Sequence, residues 1–574
     1  MIDEDKLDFS RSNVSTGPCD LQHSVQETPD ESSVYPENRN QEANYTEWLQ
    51  DLEFCNVEFD NPKNFQEAMA AADSAEWKEA MDCEIKILQE RNVYEEVRRP
   101  RNETVLGNKW VYVRKKDQRQ RVVRHRARLV AQGFNQRPGI DFEDIYSPVV
   151  NFILIRLLMY VLVLLAGWTD RHLDVKSAYL YGNLDKPIYM EPPKGYTSRP
   201  EYVWKVNKSL YGLHQSGRCW FQKLDSDLIK AGFTRLKSCQ CVYRWKWDSI
   251  ILVYVDDILV LSKNDAIMEE TIKRLQSLFD IKNLGPVRLF LGIDITRVKE
   301  GIEMSQKTYI DKLRRRLEHI PYKKTYEPMK CGLHLEAKLH SYETSTDDQD
   351  VLDVPYRALI GSMLFIARHT RPDILYAVTH LARYCNAYNV ETWNCLVHLW
   401  NYVITTKQRR ILLQENVTPQ LLAYSDASWA SDALTRKSMS GYIILVGQTP
   451  IVWRCVKQNL VALSTMESEI IASTELVKEI IWLDRILKEC ATVVPTVQGA
   501  MNVYLDNQAA IHCIKNRVDN NKSKYIDLRL QFVRDKYQSG LFHLQFVSTK
   551  QNVADMLTKA LTKDRLEKLT CYLD

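Results

Sequence analysis

The tetrapeptide Tyr254-Val255-Asp256-Asp257 lies between two apolar runs, Ile250 to Val253 and Ile258 to Leu261. This pattern predicts two strands joined by a turn, with adjacent carboxylates at the tip. Crowding two carboxylates is costly unless a cation lies beside them. Mg²⁺ favours such carboxylates in combination with substrate phosphates. An isolated Asp-Asp is more often a turn that exploits aspartate's tolerance of turn geometry, so the pair needs company. Asp174 supplies it: it ends the predicted strand around His172-Leu173-Asp174 and precedes the small residues Ser177 and Ala178. A nucleotidyl transferase uses carboxylates from separate strand ends to hold two divalent ions, one at a primer 3′-hydroxyl and one at the triphosphate. Tyr179 offers a ring that would block a ribose 2′-hydroxyl, although a lone aromatic there is more often core.

These motifs together resemble the palm of reverse transcriptases, and the wording around them resembles the copia-type long-terminal-repeat retrotransposon polyproteins. Arg126-Ala127-Arg128-Leu129-Val130-Ala131-Gln132-Gly133-Phe134, Ser147-Pro148-Val149, Lys208-Ser209-Leu210-Tyr211-Gly212-Leu213, Phe290-Leu291-Gly292-Ile293 and Thr370-Arg371-Pro372-Asp373 follow in the family's order and spacing. The resemblance implies that Asp174, Asp256 and Asp257 bind Mg²⁺, with Mn²⁺ as the alternative ion. It implies that Arg126, Arg128, Tyr179 and Gln215 bind the incoming nucleotide, a planar guanidinium suiting phosphate. Phe290, Leu291 and Gly292 would grip the primer end. The family's usual Lys-Gln-Ala-Pro-Arg is replaced here by His214-Gln215-Ser216-Gly217-Arg218.

The C-terminal third carries a second set of acids. Asp426 follows a short apolar stretch, and Asp506 ends the apolar strand Met501 to Leu505. Glu467 opens a long segment whose apolar residues Ile470, Ile471, Leu476, Ile480, Ile481 and Leu487 fall close to helical spacing. Ser464 and Thr465 are candidate caps, and Asp555 opens another helix-like stretch. Singly, each acid reads as a solvated or capping residue. In this order they resemble a ribonuclease H constellation, which would cut the RNA strand of a hybrid with two metal ions. Glu469 competes with Glu467 as a ligand, and the family register favours Glu467. Tyr525 and Gln531 stand where the family often has histidine.

The elements that must position these groups follow from the pattern. The expected architecture is an α+β right-handed polymerase of fingers, palm and thumb, followed by an α/β ribonuclease H-like domain. Residues 1–60 are acidic, aperiodic and expected to be disordered. Fingers and palm would span 61–300, thumb and connection 301–417, and the ribonuclease H-like domain 418–574, with Ser341 to Asp350 as a linker. The apolar run Phe152 to Trp168 approaches membrane-spanning length but contains Arg156 and stops early. A buried helix leading to the Asp174 strand accounts for it better.

Composition agrees with a large enzyme that handles a polyanion. The chain has 574 residues and a formal charge of +3. Residues 1–60 hold three cations against fifteen acids, a net of −12, which leaves +15 for the remainder. Between Arg98 and Arg128 lie twelve Lys or Arg and two acids, with Trp110 and Tyr112 interleaved. Next to a polymerase palm, such a stretch predicts contacts to nucleic-acid phosphates rather than a merely solvated face. The thirteen cysteines form no Cys-x-x-Cys pair, so neither a disulfide framework nor a zinc site is indicated. No gag-type zinc knuckle, aspartic protease motif or integrase zinc pattern is present, so the chain reads as the polymerase–ribonuclease H end of a longer polyprotein. The implied partners are an RNA template, a DNA or tRNA primer, an RNA–DNA hybrid and deoxynucleoside triphosphates, with element gag and integrase proteins besides and no membrane. The implied location is a cytoplasmic virus-like particle with a nuclear phase. A second reading is a catalytically decayed or host-adopted remnant that binds nucleic acid or protein; the altered 214–217 stretch and Tyr525 favour it, and the survival of all seven acids opposes it.

Overall fold

A computed structural model describes residues 61–116, 121–196, 199–333, 335, 354–415, 418–490, 500–516, 527–571 and 573. The acidic segment 1–60, the linker at Ser341 to Asp350 and Tyr525 lie outside the described residues. Residues Pro62–Asp574 form one compact unit.

The first acid set sits on a six-stranded sheet, ordered Ile281–Asn283, Thr169–Val175, Asp257–Ser262, Ser249–Tyr254, Cys239–Trp245 and Thr234–Leu236. All neighbours are antiparallel. The central hairpin is apolar without alternation because both its faces are covered. Ile250, Leu252, Leu259 and Leu261 pack with the segment that follows Val150, whereas Ile251, Val253, Ile258 and Val260 pack with Trp220, Leu224, Met268 and Ile272. Full burial of each such side chain contributes about 1.5–3 kcal/mol. The run from Phe152 is a buried α-helix, Phe152–Leu158, that continues as a π-helix, Met159–Leu165. Among the described residues no helix is long and apolar enough to cross a membrane.

Before the six-stranded sheet, strands Asn108–Lys116 and Val122–Ala131 form an antiparallel ribbon against the helix Ser74–Glu90. Trp77, Met81, Ile85 and Leu88 form that helix's buried stripe. After this sheet, the described residues of 305–410 hold four α-helices, Lys307–Arg316, Tyr356–His369, Leu375–Ala382 and Val390–Thr405. The boundary expected at 300 falls in the turn of a hairpin, Ile293–Val298 with Gly301–Ser305, whose outer strand pairs with Ile411–Gln414.

The second acid set sits on a five-stranded mixed sheet, ordered Thr449–Lys457, Met439–Val446, Leu421–Ser428, Met501–Leu505 and Phe542–Phe546. The first three strands form an antiparallel meander, and the last two run parallel to the central strand. The 26-residue helix Thr465–Cys490 connects the two parts and packs on Leu421–Ser428. This sheet is bolted to the rest of the molecule. Arg156, buried, donates to the His369 carbonyl at 2.7 Å and lies 4.0 Å from the centre of the Trp453 ring. Trp453 Nε1 donates to the Ala367 carbonyl at 2.9 Å.

Two candidate active sites

The first site forms at the tip of the central hairpin. Asp257 is the cross-strand partner of Asp174, so both point to the same face. Asp256 occupies the turn, and its carbonyl accepts from Val175 N at 2.8 Å. Val255 has φ +53°, which a β-branched residue adopts only under strain. Its carbonyl is held by Trp220 Nε1 at 2.8 Å. The strain therefore sits beside the two acids, where the surrounding structure over-determines it. Asp257 Oδ1 lies 2.7 Å from His172 Nε2, and the His172 ring meets Phe290 edge-on with centroids 5.1 Å apart.

Phe290, expected at the primer end, has a buried ring that packs edge-on against His172. Leu291 and Gly292, with φ +51° and +77°, form the tight turn after it. The exposed apolar side chain of this hairpin is Leu289.

Opposite the acids, the ribbon brings Arg126 and Arg128 to one face by their two-residue spacing. The Arg128 guanidinium lies 4.5 Å from the centre of the Tyr211 ring, which Tyr179 meets edge-on at 5.2 Å. Arg128 Nε is buried without a hydrogen-bond partner. Partial burial, then Arg126 and Arg128, hold the Lys115 ammonium below its ordinary pKa, and Asp174 opposes this. Burial and Arg128 likewise lower Arg126, against Tyr211, Glu84 and Asp256. Cations crowded closely enough to disfavour one another's charge await an anion. Lys115 and Tyr211 were not singled out from the sequence. A lysine within a basic stretch carries no mark of its own, and the cross-strand register is what selects it. Gln215 is buried, accepts from Gln136 Nε2 at 3.0 Å and donates to the Asp141 carbonyl at 3.4 Å. It anchors the 136–141 loop to the start of the helix Ser216–Lys230. At Gly217, which departs from the family's proline, a Cβ would meet Ser147 Cβ at 3.0 Å.

The second site brings together Asp426, Asp506 and Glu469, one ligand atom of each lying within 4.8 Å of the others. Among the described residues this is the only such group of three, so the first site's carboxylates do not converge as closely. Asp426 and Asp506 come from neighbouring parallel strands, and Glu469 from the second turn of the crossing helix. Glu469 replaces Glu467, the ligand expected from the family register. Glu467 turns back to the helix start: its Oε2 accepts from Leu463 N at 2.8 Å, and its N–H donates to Ser464 Oγ at 3.2 Å. Ser464-Thr465-Met466-Glu467 has the spacing of a capping box, a signal legible in the sequence.

Glu469 Oε1 accepts from Ala427 N at 3.2 Å, whereas its buried Oε2 has no partner. Burial pushes the Asp426 carboxyl up to about 6, with Asp555 and Asp506 adding to the rise and Lys559 and Thr558 opposing it. Burial, Asp426 and Asp506 push Glu469 well above the carboxylate range. An orphaned carboxylate oxygen aimed among acids that resist ionising together fits a divalent cation. Asp555 is not in this group. Its oxygens face Lys559 and, at 3.1 Å, Arg565.

Residues 91–331 match the family described as reverse transcriptase (RNA-dependent DNA polymerase). The chain is 34% identical over 514 residues to the retrovirus-related Pol polyprotein from transposon TNT 1-94 of Nicotiana tabacum, covering 88% of this chain and 38% of that one. It is 34% identical over 504 residues to the polyprotein from transposon RE2 of Arabidopsis thaliana, covering 86% and 34%. It is 31% identical over 315 residues to the putative transposon Ty5-1 protein of Saccharomyces cerevisiae, covering 54% of this chain and 100% of that one. The chain thus spans about a third of the length of the plant polyproteins it matches. Among solved structures it is similar to the foamy viral protease–reverse transcriptase dRH in complex with double-stranded DNA, at 13% identity and a TM-score of 0.46, covering 82% of this chain and 70% of that one. From its motifs and these relatives, the chain belongs to the copia-type retrotransposon Pol polyproteins and carries their reverse transcriptase domain.

Proposed function

We propose that this chain is an RNA-directed DNA polymerase with ribonuclease H activity, working on a primed RNA template, deoxynucleoside triphosphates and the resulting hybrid. The observation that carries the polymerase reading is the cation cluster Lys115, Arg126 and Arg128, placed across from Asp174 and Asp256 and short of an anion. In this reading Arg126 and Arg128 orient the triphosphate, the Tyr179–Tyr211 pair walls the sugar, and His172 steadies Asp257. Asp174, Asp256 and Asp257 would hold divalent ions, which would lower the pKa of the primer hydroxyl and offset charge on the leaving pyrophosphate.

The ribonuclease H reading rests on Asp426, Glu469 and Asp506, with the unpartnered Glu469 oxygen as its support. The division into fingers and palm, thumb and connection, and ribonuclease H-like domain belongs to the same proposal, with the first boundary placed ahead of the hairpin that 300 would split. So do the tRNA or DNA primer, the gag and integrase partners, and a virus-like particle with a nuclear phase. Primer extension on an RNA template with Mg²⁺ tests the central part. Intact protein is expected to extend the primer, and Asp256→Asn to lose extension by about a hundredfold or more. Equal extension by both would remove Asp256 from the mechanism.

A further inference from the structure

The acid expected as the second site's fourth ligand is already engaged. Asp555 is nearly inaccessible, and Lys559 meets its Oδ1 while Arg565 Nη2 lies 3.1 Å from its Oδ2. Lys559 follows it by four residues, just past the short helical turn Val553–Leu557. The intervening Thr558 hydroxyl donates to Asp426, which fixes this turn against the acid group. The ammonium therefore stands in the field of Asp426 and Asp506 as well as Asp555. Its side chain is 41% exposed, so it has a way out to solvent.

We propose that Lys559 is a built-in counter-cation of the second site, which neutralises the acid group in the absence of a divalent ion and is displaced when one binds. The proposal rests on the ribonuclease H reading in that the group must take a divalent ion. Its physical basis is charge accounting. Like charges held within 4.8 Å of one another and shielded from water repel strongly. Three acids this close either hold protons or draw positive charge to themselves, and Lys559, paired with Asp555 beside them, is the cation placed to supply it. A divalent ion brings twice that charge into the same space and repels the ammonium. Lys559 thus stabilises the ion-free protein and weakens ion binding, and the two effects are reciprocal.

The test uses the full chain with Asp174→Asn and Asp256→Asn, so that the first site binds no ion, and Mn²⁺ alone as the probe. Mn²⁺ affinity is read by water-proton relaxation, and thermal unfolding is followed in EDTA and in Mn²⁺. Lys559→Met is expected to lower the unfolding temperature in EDTA, to recover it in Mn²⁺, and to bind Mn²⁺ about fivefold or more tightly. Lys559→Arg, which keeps the charge, is expected to behave as the parent does. A lysine with a merely structural role would destabilise the protein equally with and without the ion. Unchanged or weaker Mn²⁺ affinity in Lys559→Met overturns the proposal, while parental binding that Asp426→Asn removes leaves the ribonuclease H reading standing. If Asp426→Asn leaves Mn²⁺ binding intact, the acid group holds no ion and both fall. Should Lys559→Met fail to fold in both conditions, Lys559→Gln is read by the same two outcomes.

Discussion

Asp426 shows how burial and function pull against each other in one side chain. Its carboxyl is pushed up from the ordinary 3.8 to about 6, chiefly by burial. A folded-state pKa raised above the unfolded value contributes stability that is fully present below pH 3.8 and is lost as pH rises through about 6. Across that window the ion-free protein loses about 3 kcal/mol from this group. Thermal unfolding in EDTA should therefore fall by several degrees between pH 4.5 and 7 by roughly this linkage. Mg²⁺ or Mn²⁺ should restore stability above pH 6, where the carboxylate is free to bind, and Asp426→Asn should flatten both dependences. A pH-independent unfolding temperature in the parent, with no response to divalent ion, would contradict the assignment. At this scale the sequence told acids from their neighbours but not their directions. Glu467 and Glu469 are two residues apart on a helix, so only one can face the strands. The choice was decided by Leu463 N and Ser464, which draw Glu467 away.

The elements were easier to read than the side chains they carry. Continuous apolar runs around 250–261 marked a hairpin covered on both faces, and the run from Phe152 marked a buried helix, because burial leaves a compositional trace. What leaves no such trace is partnership across distant segments. Thr370-Arg371-Pro372-Asp373 was legible only as family wording. In the structure it is the core of a polar network. Arg371 and Asp373, both fully buried, pair through two 2.8 Å hydrogen bonds. Tyr402 donates to Asp373 at 2.8 Å, Arg409 adds a contact at 3.2 Å, and Thr406 accepts from Arg371. Arg371 and Arg409 hold the Asp373 carboxyl well below the usual range against its burial. Asp373→Asn should leave Arg371 buried without its anion and cost about 3–5 kcal/mol. Chemical denaturation would measure it. A loss below about 1 kcal/mol, the size of an exposed pair, would show the network to be dispensable.

Across the whole molecule, two acid groups stand on two separate sheets, and Arg156 and Trp453 tie the second sheet to the helices beside the first. The order of these parts was legible because motif order survives in sequence, whereas their docking was not, since it rests on apolar and polar contacts between segments far apart in the chain, Arg156 among them. If the proposed function holds, the two chemistries are separable in a single chain. The most direct measurement follows primer extension and RNA cutting together, on one primed RNA template, for the parent, Glu469→Gln and Glu467→Gln. Glu469→Gln should lose cutting by about a hundredfold while extending normally, and Glu467→Gln should keep both within a few-fold, as expected for loss of a helix cap rather than a ligand. Cutting that survives in Glu469→Gln and vanishes in Glu467→Gln, or extension that falls together with cutting, would contradict two independent sites built as described.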